Sequence, residues 1–301
     1  MKKSIVVIGG GESGVGAAIL ANRNGYDVFL SEFNTIQKKY KKILENNHIS
    51  YEEGGHTLNK FINAKEVVKS PGISNNSEII IKIKSKNIPI ISEIEFAYRF
   101  TNSILIGVTG SNGKTTTCSL IYHILKNSGK SVGLAGNIGN SFSFLTAENN
   151  FEYVVLELSS FQLDDIINFN PFISVITNLS PDHLERYNYD FQNYVNSKFK
   201  IISNQSSLDY FIYNHDDDKI ISELNNRNVN SIKIPFSLKN TNGNNLTYVK
   251  NDNINSNINN TNFMIPIENL SIKGKHNVQN NMAAKRFPLF GIFKRHLISS
   301  L

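Results

Sequence analysis

The feature that most constrains the fold is a glycine-rich loop between a short apolar run and a helical pattern. The loop, TGSNGKT at Thr109–Thr115, follows the apolar run Ile104–Val108. A strand that leads through glycines into a helix offers free main-chain N–H groups and a partial positive charge to phosphate. In such a loop Lys114 would reach the β- and γ-phosphates, and the Thr115 hydroxyl would ligate Mg²⁺. The segment therefore predicts an ATP site in an α/β domain.

The same loop departs from the general P-loop spacing. That pattern expects glycine five residues before Gly113, where this chain has Val108, and Gly107 comes one position too early. We therefore interpret the loop as a subclass of ATP-binding loops rather than a generic P-loop.

A second glycine-rich loop lies near the amino terminus. Gly9–Gly14 matches G-x-G-x-x-G directly after the β-branched run Ser4–Ile8 and opens a helical pattern, and Glu32 follows near the end of the next predicted strand. Such a carboxylate contacts a ribose in dinucleotide-binding folds. Taken alone, the pattern fits either a dinucleotide site or a tight strand-to-helix turn.

Predicted strands and helices alternate along the chain, which indicates α/β units with parallel sheets and right-handed crossovers. Strands are predicted at Ser4–Ile8, Asp27–Leu30, Glu66–Lys69, Ile88–Ile91, Ile104–Val108, Tyr153–Glu157, Phe172–Thr177, Leu208–Tyr213 and Ser231–Ile234. Helices are predicted at Ser13–Asn24, Ile36–Asn46, Ser77–Lys86, Glu93–Phe100, Lys114–Asn127 and Phe191–Ser203. We expect a Rossmann-like domain at residues 1–101 and a central P-loop-type α/β domain at 102–284. The Asn-rich stretch Leu238–Asn262 is expected to be a loop or an irregular hairpin.

Composition narrows the class of protein. The chain has 301 residues, a net charge of +6 and a single cysteine, Cys118. One cysteine excludes an internal disulfide framework and favours a cytoplasmic protein. No stretch approaches the ~20 apolar residues of a membrane-spanning helix. The lysines are scattered and no aromatic-basic RNA motif appears, so neither a nucleic acid nor a membrane is expected as partner.

Charged residues gather where central strands are predicted to end. Glu157 closes a buried run, and Asp182, His183, Glu185 and Arg186 follow the next one. The carboxyl ends of parallel strands share one edge of a sheet, so Glu157 beside the phosphate loop is well placed to hold Mg²⁺. The same edge predicts a site that includes His183. From the residues alone, we expect Lys198, in the next predicted helix, to be a solvated surface lysine.

Six motifs together resemble the Mur ligases of peptidoglycan synthesis. They occur in family order at Ser70–Ile73, Thr109–Thr116, Gly136–Gly139, Glu157–Leu163, Asp182–Tyr187 and Gly274–Asn277. Within the family, ELSSFQL and the DHLERY run look like the D-glutamate-adding members. The resemblance implies an ATP-dependent ligase that joins D-glutamate to UDP-N-acetylmuramoyl-L-alanine through an acyl phosphate.

The resemblance also implies roles for individual residues, with Lys114, His183 and Lys198 as catalytic residues. ATP would be bound by Gly110, Ser111, Asn112, Gly113, Lys114, Thr115, Thr116, Asn277 and Asn280. The UDP-linked substrate would be bound by Glu12, Ser13, Ser31, Glu32, Gly72, Asn137, Ser159 and His183. One Mg²⁺ would be held by Thr115 and Glu157, and a second by His183 and a carbamylated Lys198. A monomer is expected.

The resemblance ends near Ala284, before the third domain of such ligases. Residues 285–301 are short, basic and apolar, and Pro288 interrupts the expected helix, so we expect an aberrant tail and impaired ligation. The alternatives are a related amide ligase acting on another muramoyl peptide or on folate, and a non-catalytic nucleotide-binding remnant. An NAD-dependent oxidoreductase would leave the second loop, Glu157, His183 and Lys198 unexplained.

Overall fold

The computed structural model describes residues 3–239, 246–258, 261–270 and 272–285. The chain divides into two compact units. The first comprises the described residues of Met1–Ser103 together with Ala135–Phe151 and Ser159–Phe169. The second comprises Ile104–Leu134, Glu152–Leu158 and the described residues from Asn170 onward. The first unit is therefore assembled from three separate stretches of sequence. The predicted domain boundaries at residues 101 and 284 stay predictions.

The described residues contain fourteen strands and ten α-helices. The strands are β1 Ser4–Ile8, β2 Asp27–Ser31, β3 Ser50–Glu52, β4 Glu66–Lys69, β5 Ile90–Ser92, β6 Ile104–Thr109, β7 Val132–Gly136, β8 Tyr153–Glu157, β9 Ile173–Ile176, β10 Tyr210–Asn214, β11 Ile232–Ser237, β12 Thr247–Lys250, β13 Asn253–Ile258 and β14 Thr261–Pro266. The helices are α1 Glu12–Arg23, α2 Lys38–Asn46, α3 Glu78–Ser85, α4 Glu93–Tyr98, α5 Lys114–Asn127, α6 Phe142–Glu148, α7 Ser160–Leu163, α8 Phe191–Phe199, α9 Asp218–Asn226 and α10 Lys275–Ala284.

The first unit is built on a parallel sheet. Its described strands run in the order β3-β2-β1-β4-β5, and every recorded pair is parallel. Strand β1 is central, and Ile5–Ile8 are fully buried because the sheet is covered on both faces. Parallel strands all point their carboxyl ends to one edge. That edge carries the glycine loop after β1 and the loop Ser70-Pro71-Gly72 after β4.

The second unit has a larger, mixed sheet. Its described strands run in the order β14-β13-β12-β11-β10-β9-β6-β8-β7. The central part, from β11 to β8, is parallel, with β6 between β9 and β8. Strands β12 to β14 form an antiparallel extension at one edge. The connection from β6 into α5 carries the phosphate loop, flanked by the ends of β8 and β9.

The α/β class and the parallel sheets predicted from the sequence are confirmed. Helix α5 and strand β8 have the predicted bounds, and the predicted helix from Phe191 ends as α8 at Phe199, before a short 3₁₀ turn. The described part of Leu238–Asn262 forms the antiparallel hairpin β12–β13 and the start of β14, so the hairpin alternative is confirmed and the loop alternative is wrong. Polar residues can form such strands because the ladder is made by the main chain. Residues 240–245, 259–260 and 286–301, the tail among them, lie outside the described residues.

Candidate functional site

The phosphate loop of the second unit has the conformation that its glycines predict. Gly110 has φ +145° and Gly113 has φ +80°, in the region that side chains disfavour. A Cβ atom on Gly110 would lie 2.0 Å from Thr177 Oγ1, and one on Gly113 would lie 2.4 Å from Asn280 Oδ1. Helix α5 begins directly afterwards, at Lys114. Its first N–H groups lack intrahelical partners, so they are available to an anion.

Lys114 is folded back over its own loop. Its Nζ donates to the main-chain oxygens of Gly110 at 2.9 Å and Ser111 at 2.8 Å. Burial lowers the pKa of Lys114, while the charges of Glu157 and Asp182 oppose this shift. A half-buried ammonium held by two carbonyl oxygens can exchange those partners for phosphate oxygens at little structural cost.

The predicted magnesium pair is adjacent. Thr115, in the first turn of α5, donates from Oγ1 to Glu157 Oε2 at 2.8 Å, and Glu157 is buried at the end of β8. A hydroxyl and a carboxylate are hard oxygen ligands of the type that Mg²⁺ prefers. Among the described residues no group of three or more His, Cys, Asp and Glu side chains could hold a metal ion. The protein would therefore supply few ligands, and water and phosphate the rest, as is usual for Mg²⁺.

Lys198 is not the solvated lysine that its sequence suggests. It lies on α8, is only 2% exposed, and donates from Nζ to Gly110 O at 2.8 Å. Its ammonium also lies 4.7 Å from the centre of the Tyr194 ring, one helical turn away. Burial, and then the charge of Lys114, lower the pKa of Lys198 to about 7. The amine is therefore neutral in an appreciable fraction of molecules near neutral pH.

His183 occupies a different environment. Its side chain is 58% exposed, with the ring nitrogens 3.8 Å from Asp182 Oδ2 and 3.7 Å from Glu185 Oε1. The residue has φ +51° and precedes a short 3₁₀ turn at Leu184–Tyr187. The predicted pairing of His183 with Lys198 around a metal stays a prediction.

A cavity of about 590 Å³ opens beside the phosphate loop. It is lined by residues from the loop, the end of β9, the start of α9 and α10: Asn112, Gly113, Thr116, Thr177, Asn178, Leu179, Ser180, Asp217, Phe236, His276, Gln279 and Asn280. The cavity is contiguous with the loop and large enough for a nucleoside. Asn280, predicted to bind ATP, lines this cavity. The other predicted residue of α10, Asn277, bonds to Lys273 O and accepts from Asn280 Nδ2 at 3.4 Å.

Ser111 contributes to the loop in another way than predicted. Its buried hydroxyl donates to Ser180 O at 2.8 Å, accepts from Ser180 N–H at 2.9 Å and lies 2.9 Å from Tyr194 Oη. These bonds use up the hydroxyl, so Ser111 fastens the loop to its surroundings. Whether it also contacts ATP stays a prediction.

The glycine loop of the first unit has an acidic partner. Glu32 accepts from Gly10 N–H at 2.5 Å and from Asn34 N–H at 2.8 Å, so its carboxylate occupies a loop amide. Gly14 is required by close approach, because a Cβ atom there would lie 1.8 Å from Gly9 O. The loop is thus a tight turn as well as a predicted binding site.

Ser31, another predicted substrate residue, is fully buried at the end of β2. Its hydroxyl donates to Glu52 Oε1 at 2.7 Å and lies 2.7 Å from His56 Nδ1. Burial lowers the pKa of His56, against the charges of Glu32 and Glu52. These bonds orient the imidazole, whose ring lies 5.8 Å from that of Phe33.

His56 and Phe33 line a cavity of about 540 Å³ in the first unit. The remaining lining residues are Glu32, Asn34, Leu58, Ile73, Ser74, Ser77, Glu78, Ile79 and Lys82. The cavity starts beside Glu32 and therefore next to the glycine loop. Phe33 is 66% exposed, which leaves its ring accessible to a ligand.

The other predicted substrate residues lie on loops or at helix starts of the first unit. Glu12 begins α1, and its Oε1 accepts from Ser141 N–H at 2.8 Å, just before α6. Ser13 follows it and is half-buried, and Gly72 and Asn137 are exposed on loops. Ser159 caps α7 through a capping box with Gln162. Their contacts with a substrate stay predictions.

Several residues that support the phosphate loop of the second unit were not predicted from the sequence. Asn178, Tyr194, Asp217 and His276 line the cavity or bond to the phosphate loop, but none was given a role. Asn178 had a weak signal, since it is the first residue of the predicted loop that carries Asp182 and His183 after a strand. The others are recognisable only from contacts between distant parts of the sequence.

Two family models match the chain. Residues 108–286 match the Mur ligase middle domain, and residues 4–79 match the MurD N-terminal domain. In the described residues no helix has the length and apolar character needed to cross a membrane.

Curated relatives with the name UDP-N-acetylmuramoylalanine–D-glutamate ligase are similar over nearly the whole chain. The protein of Christiangramia forsetii is 50% identical over 286 residues, which cover 94% of this chain and 64% of the relative. That of Bacteroides thetaiotaomicron is 45% identical over 300 residues, covering 99% and 67%. This chain thus spans about two thirds of the length of these relatives.

Solved structures show the same fold. The UDP-N-acetylmuramate:L-alanyl-gamma-D-glutamyl-meso-diaminopimelate ligase of Neisseria meningitidis superposes with a TM-score of 0.63 at 18% identity, covering 94% of this chain and 92% of that chain. The UDP-N-acetylmuramate–alanine ligase of Thermotoga maritima gives 0.56 at 22% identity, covering 96% and 65%.

Proposed function

Because this chain belongs to the Mur ligase family, we propose that it takes part in the ATP-dependent addition of D-glutamate to UDP-N-acetylmuramoyl-L-alanine. The observation that carries the proposal is the phosphate loop. Lys114 and the Thr115–Glu157 pair lie together at the carboxyl edge of a parallel sheet, beside a cavity of nucleoside size. The name of the curated relatives supplies the substrates.

The reaction requires an activated carboxylate, since a carboxylate is a poor electrophile. An oxygen of the substrate carboxylate attacks the γ-phosphorus of ATP, ADP leaves, and an acyl phosphate forms. The amine of D-glutamate then attacks the acyl carbon, the amide bond forms, and phosphate leaves. Negative charge develops on phosphoryl oxygens in the first step, where the Lys114 ammonium can stabilise it.

Magnesium would screen the phosphate charges when it is bound. Thr115 and Glu157 fit this role because their oxygens are 2.8 Å apart and the carboxylate is buried. Both are fixed by the ends of regular elements, α5 and β8, so the pair is preorganised for its ligand.

We also propose that Lys198 is carbamylated and that its carbamate, with His183, serves a second cation. The neutral amine attacks CO₂, an N–C bond forms, and a proton is released. A pKa of about 7, set mainly by burial, provides the neutral amine that this step needs. The product is an anion, which would attract a cation that the ammonium repels. Intact-mass measurement in bicarbonate checks this: one added CO₂ in the wild type, and none in Lys198→Ala.

For the first unit we propose the UDP portion of the muramoyl substrate as ligand. Its glycine loop opens toward a diphosphate, and the cavity beside Glu32 would take the base, with the accessible Phe33 ring as a stacking surface. Asn137 and Ser159, which belong to the same unit, would contact the muramoyl part. We propose that the protein acts in the cytoplasm, where ATP is present, and as a monomer.

Binding and turnover test the proposal separately. Calorimetry with Mg·ATP and with UDP-N-acetylmuramoyl-L-alanine measures each site, and phosphate release with D-glutamate measures ligation. L-alanine and meso-diaminopimelate in place of D-glutamate distinguish the related amide ligases. A chain that binds neither Mg·ATP nor UDP-N-acetylmuramoyl-L-alanine would contradict the proposal. Binding of these substrates without phosphate release would favour a non-catalytic nucleotide-binding protein.

A further inference from the structure

The phosphate loop is fastened by a side chain from the end of another strand. Asn178 lies two residues after the end of β9, and its Nδ2 donates to Asn112 O at 2.9 Å. Asn112 N–H donates in return to Asn178 Oδ1, also at 2.9 Å. The side-chain amide thus pairs with both polar groups of one loop residue, as the main chain of a neighbouring strand would.

Two further bonds join the same segments. Ser111 N–H donates to Asn178 O at 2.9 Å, and Thr177 Oγ1 donates to Asn112 O at 2.6 Å. The N–H groups of Ser111 and Asn112 therefore face the end of β9. They cannot donate to a phosphate at the same time. Of the three residues Ser111–Gly113, only Gly113 therefore leaves its N–H for an anion, next to the N–H groups of the first turn of α5.

The loop needs support from these neighbouring side chains because it lacks glycine at the position where the general P-loop has one. Val108 stands where the general P-loop has glycine, and it is buried in β6 with its carbonyl bonded to Leu158 N–H at 2.8 Å. The chain can leave the strand only at Gly110, where φ is +145°. The turn is therefore short and tight, and it is held from outside by Asn178 and Thr177.

We propose that Asn178 is a positioning residue that determines which main-chain amides of the loop face the phosphates. This inference rests on the proposed ATP binding of the second unit. Without the Asn178 side chain, the Ser111–Asn112 peptide loses the acceptor of its N–H and the Asn112–Gly113 peptide loses a donor to its carbonyl oxygen. The Asn112–Gly113 peptide can then rotate, so the Gly113 N–H is held less firmly in place. ATP affinity falls because the loop must be ordered during binding.

The test measures the affinity of the 301-residue chain for Mg·ATP, Mg·ADP and adenosine by calorimetry. For Asn178→Ala we expect Mg·ATP to bind about tenfold more weakly, the effect of losing two ordinary hydrogen bonds. Adenosine has no phosphate and should lose less affinity than Mg·ATP, although Asn178 also lines the cavity beside the loop. Asn225→Ala, an exposed asparagine on α9, is the matched control and should bind like the wild type. Binding of UDP-N-acetylmuramoyl-L-alanine reports whether the first unit is intact.

Thr177→Val provides a second variant that keeps the shape of the side chain. It removes one bond to Asn112 O and keeps the Asn178 pair, so we expect about a threefold loss for Mg·ATP. Wild-type affinity in both variants, or an equal loss for adenosine, would overturn the positioning role while leaving ATP binding intact. A wild-type chain that does not bind Mg·ATP would overturn the proposed function itself, and this inference with it.

Discussion

The two glycine loops of this chain occupy equivalent positions between a strand and a helix, but they differ in the charges around them. Each joins a central parallel strand to a helix, at β1–α1 and β6–α5. In the first loop an amide is occupied by the Glu32 carboxylate, and Glu12 opens the helix. In the second, Asn178 pairs with the loop and two lysines, Lys114 and Lys198, donate to Gly110 O.

We infer from this comparison that a glycine pattern specifies a turn, whereas the residues around the turn specify the ligand. Glycines allow close approach of the main chain in both loops. The Lys114 ammonium next to a buried carboxylate suits a triphosphate with its metal ion. A carboxylate such as that of Glu32 suits a ligand whose hydroxyl groups donate hydrogen bonds, such as a ribose.

A substitution in the first glycine loop should have the greatest effect, and the quantity it changes is the free energy of unfolding. Gly14→Ala places a Cβ atom 1.8 Å from Gly9 O, a main-chain atom that cannot move freely. We expect the free energy of unfolding to fall by about 3 kcal/mol. Urea denaturation measures it. Gly11→Ala is the matched control in the same loop, since a Cβ atom there meets nothing within 4 Å. Equal stability of the two variants would show that the loop is less tightly packed than described.

The second prediction tests the difference in charge between the two glycine loops. Lys114→Ala removes an ammonium that can exchange two carbonyl oxygens for phosphate. A hydrogen bond to a charged group contributes about 2 kcal/mol, so Mg·ATP should bind roughly thirtyfold more weakly, as calorimetry can measure. UDP-N-acetylmuramoyl-L-alanine should bind unchanged. Lys126→Ala, on the exposed side of α5, controls for loss of net charge. Similar losses in both lysine variants would mean that only net charge matters.

The smallest effect concerns a carboxyl group of the first unit. Glu93 begins α4, is almost fully buried, and accepts from Ser143 N–H at 2.5 Å, while its Oε2 has no hydrogen-bond partner among the residues that the structure describes. Burial raises the pKa of Glu93 to about 7. The folded protein then binds a proton that the unfolded chain releases above its ordinary pKa of 4.5. The stabilisation is complete below that value and is lost as the pH rises through about 7.

Between pH 6 and pH 8 this group should lower the free energy of unfolding by about 1 kcal/mol. Glu93→Gln keeps the acceptor for Ser143 N–H and removes the ionisation. Urea denaturation at the two pH values should therefore show a smaller decrease in the variant than in the wild type. An identical decrease in both would assign the pH dependence to other groups.

The sequence predicted the bounds of elements with strong apolar patterns and gave no strand bounds where such a pattern is absent. Strand β8 and helix α5 have clear periodicity and clear end signals, and both were found with their bounds. Strands β12 to β14 are rich in Asn, Ser and Thr, so their pairing depends on neighbours rather than on side-chain type.

The site divides in the same way. Lys114, Thr115 and Glu157 could be predicted because a phosphate loop and the end of the adjacent strand have recognisable local signals. Asn178 could not be assigned, since its role comes from a contact with Asn112, 66 positions earlier in the chain. The burial of Lys198 likewise depends on where α8 packs, and no local pattern distinguishes it from a surface lysine.

The three-part make-up of the first unit determines how the chain can be divided in the laboratory. Glu95 accepts N–H groups of Ile167, Asn168 and Phe169 at 2.9 Å each, and Glu12 and Glu93 accept from Ser141 and Ser143. A single cut near residue 101 would leave these carboxylates without their donors. An expression fragment of the first unit, or a chimaera that exchanges it with a relative, must therefore carry residues 135–151 and 159–169 as grafted insertions. The residues that fold together as the first unit therefore do not form one continuous segment of the sequence that could be cloned alone.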